Sequence, residues 1–167
     1  MSIHYRLTQL FNALTAHLTP EERALVAAVL SPAELRLFER MSRHDQRHCL
    51  DVYWLLLRGG YDDPLLMRAA LLHDCGKVDD DGRPIPLSYY GLFVVLKRVA
   101  PALHAWAARD GRGPLRPFAI HAAHDERSAC MAEAAGSPPE LVATLRDYAE
   151  RRMTERTRAL AWADNQV

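Results

Sequence analysis

The sequence predicts an all-α fold in one globular unit, and three observations carry that reading. Ser/Thr-x-x-Glu with proline at the first helical position occurs at Thr19–Glu22, Ser31–Glu34 and Ser137–Glu140. In such a box the hydroxyl accepts from an orphan backbone N–H, the glutamate reaches back, and proline forfeits no hydrogen bond. Apolar side chains recur at three- and four-residue intervals along most of the chain. No strand-like alternation of any length interrupts them.

The elements follow in order. Leu7, Leu10, Phe11, Leu14 and Leu18 share one face of a first helix. Thr19 and Ser31 open the next two, and Leu35, Phe38 and Met41 continue the second of these. A longer helix is expected from about His44 to Arg58, ended by Gly59-Gly60. Asp63-Pro64 opens another, which carries Leu65, Leu66, Ala69, Ala70 and Leu72 to His73. Asp79 to Pro86 reads as a loop. Leu92, Phe93, Leu96 and Val99 form a stripe that breaks near Pro101 and resumes through Leu103 and Trp106. After a loop at Asp110–Pro114, a helix over Ala123–Ala135 closes at Gly136, and the last helices run from Pro138. Residues 1–43 are expected as N-terminal helices packed on a core built by residues 44–167.

Composition narrows the function. At 167 residues, 49% hydrophobic and 25% charged, the chain has the size and balance of a globular domain with a buried core. Zero net charge gives no global argument for a nucleic-acid duplex or a membrane as partner. The one dense basic stretch, Glu150 to Arg158, is interrupted by glutamates and reads as a solvated helix face. There is no N-terminal apolar h-region, and no span approaches the ~20 apolar residues of a membrane helix. Cys49, Cys75 and Cys130 form no CxxC pair and fit reduced thiols in a cytoplasm.

His-Asp occurs three times, at His44-Asp45, His73-Asp74 and His124-Asp125. A divalent ion in a helical bundle needs ligands that converge from different helices, with carboxylates to offset its charge. Imidazole and carboxylate donors suit Mn, Fe, Co, Ni or Mg better than a structural zinc, which favours thiolates. Adjacent residues in mid-helix point about 100° apart and rarely reach one ion. At a helix end the backbone can turn and let both reach, and His73-Asp74 sits at such an end, just before Cys75-Gly76. Gly76 supplies a tight turn there. The other pairs lie near expected helix starts, where Asp45 and Asp125 read as caps or first-turn acids.

"DQRHCLDV" (Asp45–Val52), "LLHDCGK" (Leu71–Lys77) and "LAWAD" (Leu160–Asp164), taken together, resemble the H…HD…D signature of the HD-domain superfamily. The resemblance spans roughly Arg43 to Asp164, so it implies an all-α HD-domain bundle over 44–167. It implies His48, His73, Asp74 and Asp164 as ligands of a divalent metal, manganese favoured. It also implies a phosphohydrolase that acts through a metal-activated water, with Asp74, Lys77 and His124 as catalytic residues. The substrate it implies is a nucleotide or another small phosphate ester, and Arg43, Arg47 and Arg83 lie near the motifs.

Lys77 has an argument of its own, because among 21 Lys and Arg residues it and Lys97 are the only lysines. A compact ammonium beside a bound phosphate offsets charge that grows in the transition state. The segment His124–Tyr148 resembles the part of HD relatives that carries second-metal histidines. His124 matches the first such position, and His121 lies three residues earlier. Asp147-Tyr148 stand where a further histidine is expected, and Asp147 could substitute as an oxygen ligand. That departure supports a second expectation, a metal-holding regulatory or ligand-binding module without turnover. A third, oxidative di-iron chemistry, needs a complete second site. A homodimer stays open.

Overall fold

A computed structural model describes residues 17–167. Leu7, Leu10, Phe11 and Leu14, expected on a first helix, lie outside the described residues. Among the described residues there are nine α-helices and no strand, so the fold is all-α. No described helix is long and apolar enough to cross a membrane.

The first two helices, α1 (Pro20–Val29) and α2 (Pro32–Arg40), begin at the expected boxes. Thr19 accepts from the Glu22 N–H at 3.2 Å and Glu22 accepts from the Thr19 N–H at 2.9 Å. The third box does not form. Helix α8 (Pro139–Ala149) starts without a side-chain cap, because the Ser137 hydroxyl donates instead to Glu34 Oε1 at 2.6 Å. A cap needs the hydroxyl oxygen turned to a backbone N–H, whereas the charged acceptor Glu34 turns the Ser137 hydroxyl toward itself. Glu34 also accepts from Arg68 at 2.5 Å and from the Ser31 N–H, so one buried acid ties together three distant segments.

Helix α3 (Arg43–Arg58) is capped by Ser42, and α4 (Pro64–Leu72) by Asp63. Next come α5 (Leu87–Val99), α6 (Pro101–Asp110) and, after a short 3-10 turn, α7 (Arg116–Ala134). Helix α7 starts seven residues before the expected Ala123, because Phe118 and Ile120 are drawn into a buried cluster with Ile85, Phe93 and Ala107. Pro117 is tolerated in its first turn. Asp125 is therefore a mid-helix residue and not the first-turn acid its sequence position suggested. The chain ends in α9 (Glu155–Asp164), whose capping box is Thr154 with Thr157. The basic stretch Glu150–Arg158 is thus a break between two helices, with Arg151 in the left-handed region at φ 56°, and not one solvated helix face.

Helix α4 is the centre of the bundle. Leu66, Met67 and Ala69 to Leu72 are all buried, an all-round apolar surface that only enclosure can satisfy. It contacts α1, α2, α3, α8 and α9. Each leucine so buried contributes about 2 kcal/mol of hydrophobic stabilisation. Leu18, Val26 and Phe38 share one core cluster with Leu50, Leu71, Leu145 and Leu160, so the N-terminal helices and the rest bury a common interior. The α5–α6 stripe behaves differently. Phe93 is buried, whereas Leu92, Val99, Leu103 and Trp106 face outward.

Candidate metal centre

Helix α4 ends inside the protein rather than at its surface. His73 is its C-cap, and the chain continues through tight turns, with the Cys75 N–H bonded to Leu72 O and the Lys77 N–H to Asp74 O. This lets two successive residues face one point. Gly76 makes the turn feasible: a Cβ there would lie 2.2 Å from His124 O and 2.7 Å from Ser128 N. The Ser128 hydroxyl accepts from the Gly76 N–H at 2.8 Å, and Arg127 donates to the carbonyls of Gly76 and Val78. Because the obstacles are backbone, Gly76→Ala is expected to destabilise the fold by about 3 kcal/mol, at the upper end of overpacking costs. Chemical denaturation checks this, and an unchanged midpoint would refute the close-approach argument.

The four side chains named by the sequence converge. His48 from α3 brings Nε2 to 2.9 Å from Asp164 Oδ1 of α9 and 3.8 Å from Asp74 Oδ2. His73 Nε2 lies 3.8 Å from Asp74 Oδ2 and 3.5 Å from Asp164 Oδ1. His73 Nδ1 donates to Ala70 O at 2.9 Å, which fixes the ring and leaves Nε2 with only carboxylates ahead of it. That Nε2 is buried and has no hydrogen-bond partner. A buried polar atom left unpaired in an otherwise satisfied interior calls for a ligand. His48, His73 and Asp164 bring donor atoms within 4.8 Å of one another, and Asp74 Oδ2 lies 3.8 Å from both histidine nitrogens, a set of nitrogen and oxygen donors that suits a divalent first-row cation.

Electrostatics agree with the geometry. Burial alone raises the pKa of Asp74, but Lys77 and His73 beside it hold it well below the usual carboxylate range. Burial likewise opposes Asp164, and the hydrogen bond from His48 together with the His73 ring 3.5 Å away holds it below its ordinary value. For His73 burial opposes the charge, yet the Asp74 carboxylate raises its pKa well above the ordinary histidine value.

Around this centre stand residues of three kinds. Lys77 places Nζ 2.5 Å from Asp74 Oδ2 and 3.7 Å from Asp45 Oδ1. His124 places Nε2 3.3 Å from Asp74 Oδ1 and 3.1 Å from Asp125 Oδ1, while its Nδ1 donates to His121 O at 2.7 Å. His121 itself lies behind, its ring 4.4 Å from that of Phe93, and burial pushes its pKa down to about 3. Asp147 turns away, pairs with Arg152 at 3.1 Å and lines a separate cavity of about 450 Å³ with Tyr61, Glu140 and Arg156. Arg47 is committed to Glu22 and Asp51, and Arg83 is exposed and paired with Asp81. Cys49, though 3.7 Å from His73, meets the nitrogen already turned to Ala70 and packs as a buried thiol whose pKa burial raises.

Three residues were missed. Tyr148 donates to Asp164 Oδ2 at 2.6 Å and sets its ring edge-on to His73 at 6.1 Å. Its signal was present: Leu141, Leu145 and Tyr148 recur at four and three residues on the buried face of α8. Asp45 was taken as a first-turn acid. It is one, but its carboxylate is also buried beside Lys77 and accepts from Tyr90, the third missed residue, at 3.0 Å. The acids of all three His-Asp pairs thus border this region, although only His73-Asp74 faces the central point with both side chains.

No family model, no curated protein and no solved structure matches the chain.

Proposed function

We propose that this protein is a divalent-metal-dependent phosphohydrolase of the HD type, acting on a nucleotide or another small phosphate ester. The observation that supports this most is the unpaired, buried Nε2 of His73 facing His48, Asp74 and Asp164. His48, His73, Asp74 and Asp164 would hold the cation; their mixed nitrogen and oxygen donors suit a divalent ion such as Mn, Fe, Co, Ni or Mg, with manganese favoured on the resemblance alone. When bound, such an ion polarises a phosphoryl oxygen and makes a water molecule acidic enough to attack near neutral pH.

The chain's own groups supply the rest. His124 faces three acceptors, Asp74 and Asp125 at Nε2 and the His121 carbonyl at Nδ1. Such a ring can pass the Nε2 proton to a leaving oxygen. Lys77, held at the mouth of the same carboxylate, offsets charge that grows on the transferred phosphoryl group. Hydrolysis of p-nitrophenyl phosphate with Mn²⁺, Co²⁺ or Ni²⁺, abolished by EDTA, is the test. Metal uptake without turnover on that ester or on a panel of nucleotides would instead favour a binding module.

Lys77→Ala is expected to retain metal and to lower kcat and kcat/KM by about the same factor, roughly tenfold or more, as for a contact made in the transition state. Steady-state kinetics with metal content measured in parallel decides this, and unchanged kinetics returns Lys77 to a structural role.

Metal affinity should also depend on pH, with a definite sign. The raised pKa of His73 means that a proton must leave Nε2 before a cation can take it. Mn²⁺ binding should therefore tighten as pH rises from about 6 to 8, by about tenfold per unit for one proton released. Calorimetry in buffers of differing ionisation heat reads both the affinity and the proton.

A further inference from the structure

The oxygen that faces the two histidines is already held by a cation. Asp74 Oδ2 lies 3.8 Å from both His48 Nε2 and His73 Nε2, and Lys77 Nζ sits on it at 2.5 Å. A divalent ion and an ammonium on one buried oxygen repel strongly, since charges a few ångströms apart are poorly screened there. Nor can the ammonium stay buried without a partner.

Among the described residues Lys77 pairs with one other carboxylate, Asp45, whose Oδ1 is 3.7 Å away. Asp45 is held in place by neutral donors. The Ser42 hydroxyl donates to Oδ2 at 2.6 Å, and the Tyr90 hydroxyl lies 3.1 and 3.0 Å from Oδ1 and Oδ2. These bonds fix its direction without cancelling its charge. Lys77 is the one Lys or Arg within ion-pair distance of it among the described residues. The Tyr90 ring also lies under the ammonium, 5.9 Å from centroid to Nζ.

We propose that Asp45 is a positioning residue that receives Lys77 when a divalent cation takes Asp74 Oδ2. Lys77, the counter-ion of Asp74 Oδ2, is then exchanged for the metal and keeps its charge paired with Asp45. The inference rests on the metal reading above and concerns this chain's own residues. It gives Tyr90 and Ser42 a shared task, which is to keep Asp45 aimed at the lysine.

The test is the affinity for Mn²⁺ alone, measured by calorimetry on the full chain. Asp45→Asn keeps the shape but removes the receiving charge, and should weaken Mn²⁺ binding by about tenfold. Lys77→Met removes the competitor and should bind Mn²⁺ at least as tightly as wild type. Asp45→Asn placed in the Lys77→Met background should then change Kd by less than about threefold. Tyr90→Phe, which frees the Asp45 carboxylate without removing it, should weaken binding only when Lys77 is present, and keeps the question answerable if Asp45→Asn folds poorly. Equal weakening in both backgrounds would overturn the proposal, because Asp45 would then act on the ion directly. So would wild-type affinity in Asp45→Asn and Tyr90→Phe. A wild-type chain that takes up no Mn²⁺ would instead remove the metal reading itself, and this proposal with it.

Discussion

Asp74→Asn is expected to remove metal binding and turnover together, while Asp125→Ala keeps metal near the wild-type level. Asp74 is almost fully buried and its two oxygens face His48, His73, His124 and Lys77. Asparagine preserves the outline but takes away the unit of charge that a cation needs and that Lys77 now neutralises. Changes to residues merely supporting a ligand cost roughly 10- to 100-fold in metal affinity, so loss of a ligand should exceed that. Among the described residues Asp125 makes its ion pair with His124 and is partly exposed on α7, so its loss should show in kcat and not in metal content. Mass-spectrometric metal analysis after dialysis separates the two variants. If both lose metal equally, the distinction between the His-Asp pairs fails.

The second large effect concerns the last turn of α9. Asp164→Asn should also lose metal and activity, whereas Tyr148→Phe should lower metal affinity by only about 10- to 100-fold. Asp164 gives Oδ1 to the two histidines and Oδ2 to Tyr148, so the tyrosine sets which way the carboxylate points. Ala159, Leu160 and Ala163 anchor the helix in the core, so the backbone should survive both substitutions. Circular dichroism guards against unfolding, and added Mn²⁺ should raise the melting temperature of wild type and Tyr148→Phe but not of Asp164→Asn. A Tyr148→Phe variant as impaired as Asp164→Asn would mean that the phenol does more than orient.

Local chemistry was legible in the sequence, and distant chemistry was not. The starts of α1 and α2 could be read because a capping box is complete within four residues. Ser137 offers the same letters, but Glu34 lies 103 positions away and claims its hydroxyl. The start of α7 depended on a cluster whose members span Ile85 to Ile120, which no window of the sequence displays. At the centre, His48, His73, Asp74 and Asp164 could be named because the motifs that carry them resemble the HD-domain signature; residue chemistry alone pointed only to His73-Asp74. Tyr148, Asp45 and Tyr90 act through hydrogen bonds to residues 16 and 45 positions away, and a tyrosine or a first-turn acid carries no mark of such a partner.

Each central carboxylate has the oxygen that faces away from the two central histidines engaged by a further side chain. Tyr148 donates to one oxygen of Asp164, and His124 stands against one oxygen of Asp74. Neither acid is therefore free to grip an ion with both oxygens. Calcium takes roughly six to eight oxygen ligands and favours bidentate carboxylates. Here it would find two nitrogens and two single oxygens. Smaller first-row ions accept that donor set readily. On the proposed metal reading, selection against calcium would reside in a phenol and an imidazole that need never touch the ion.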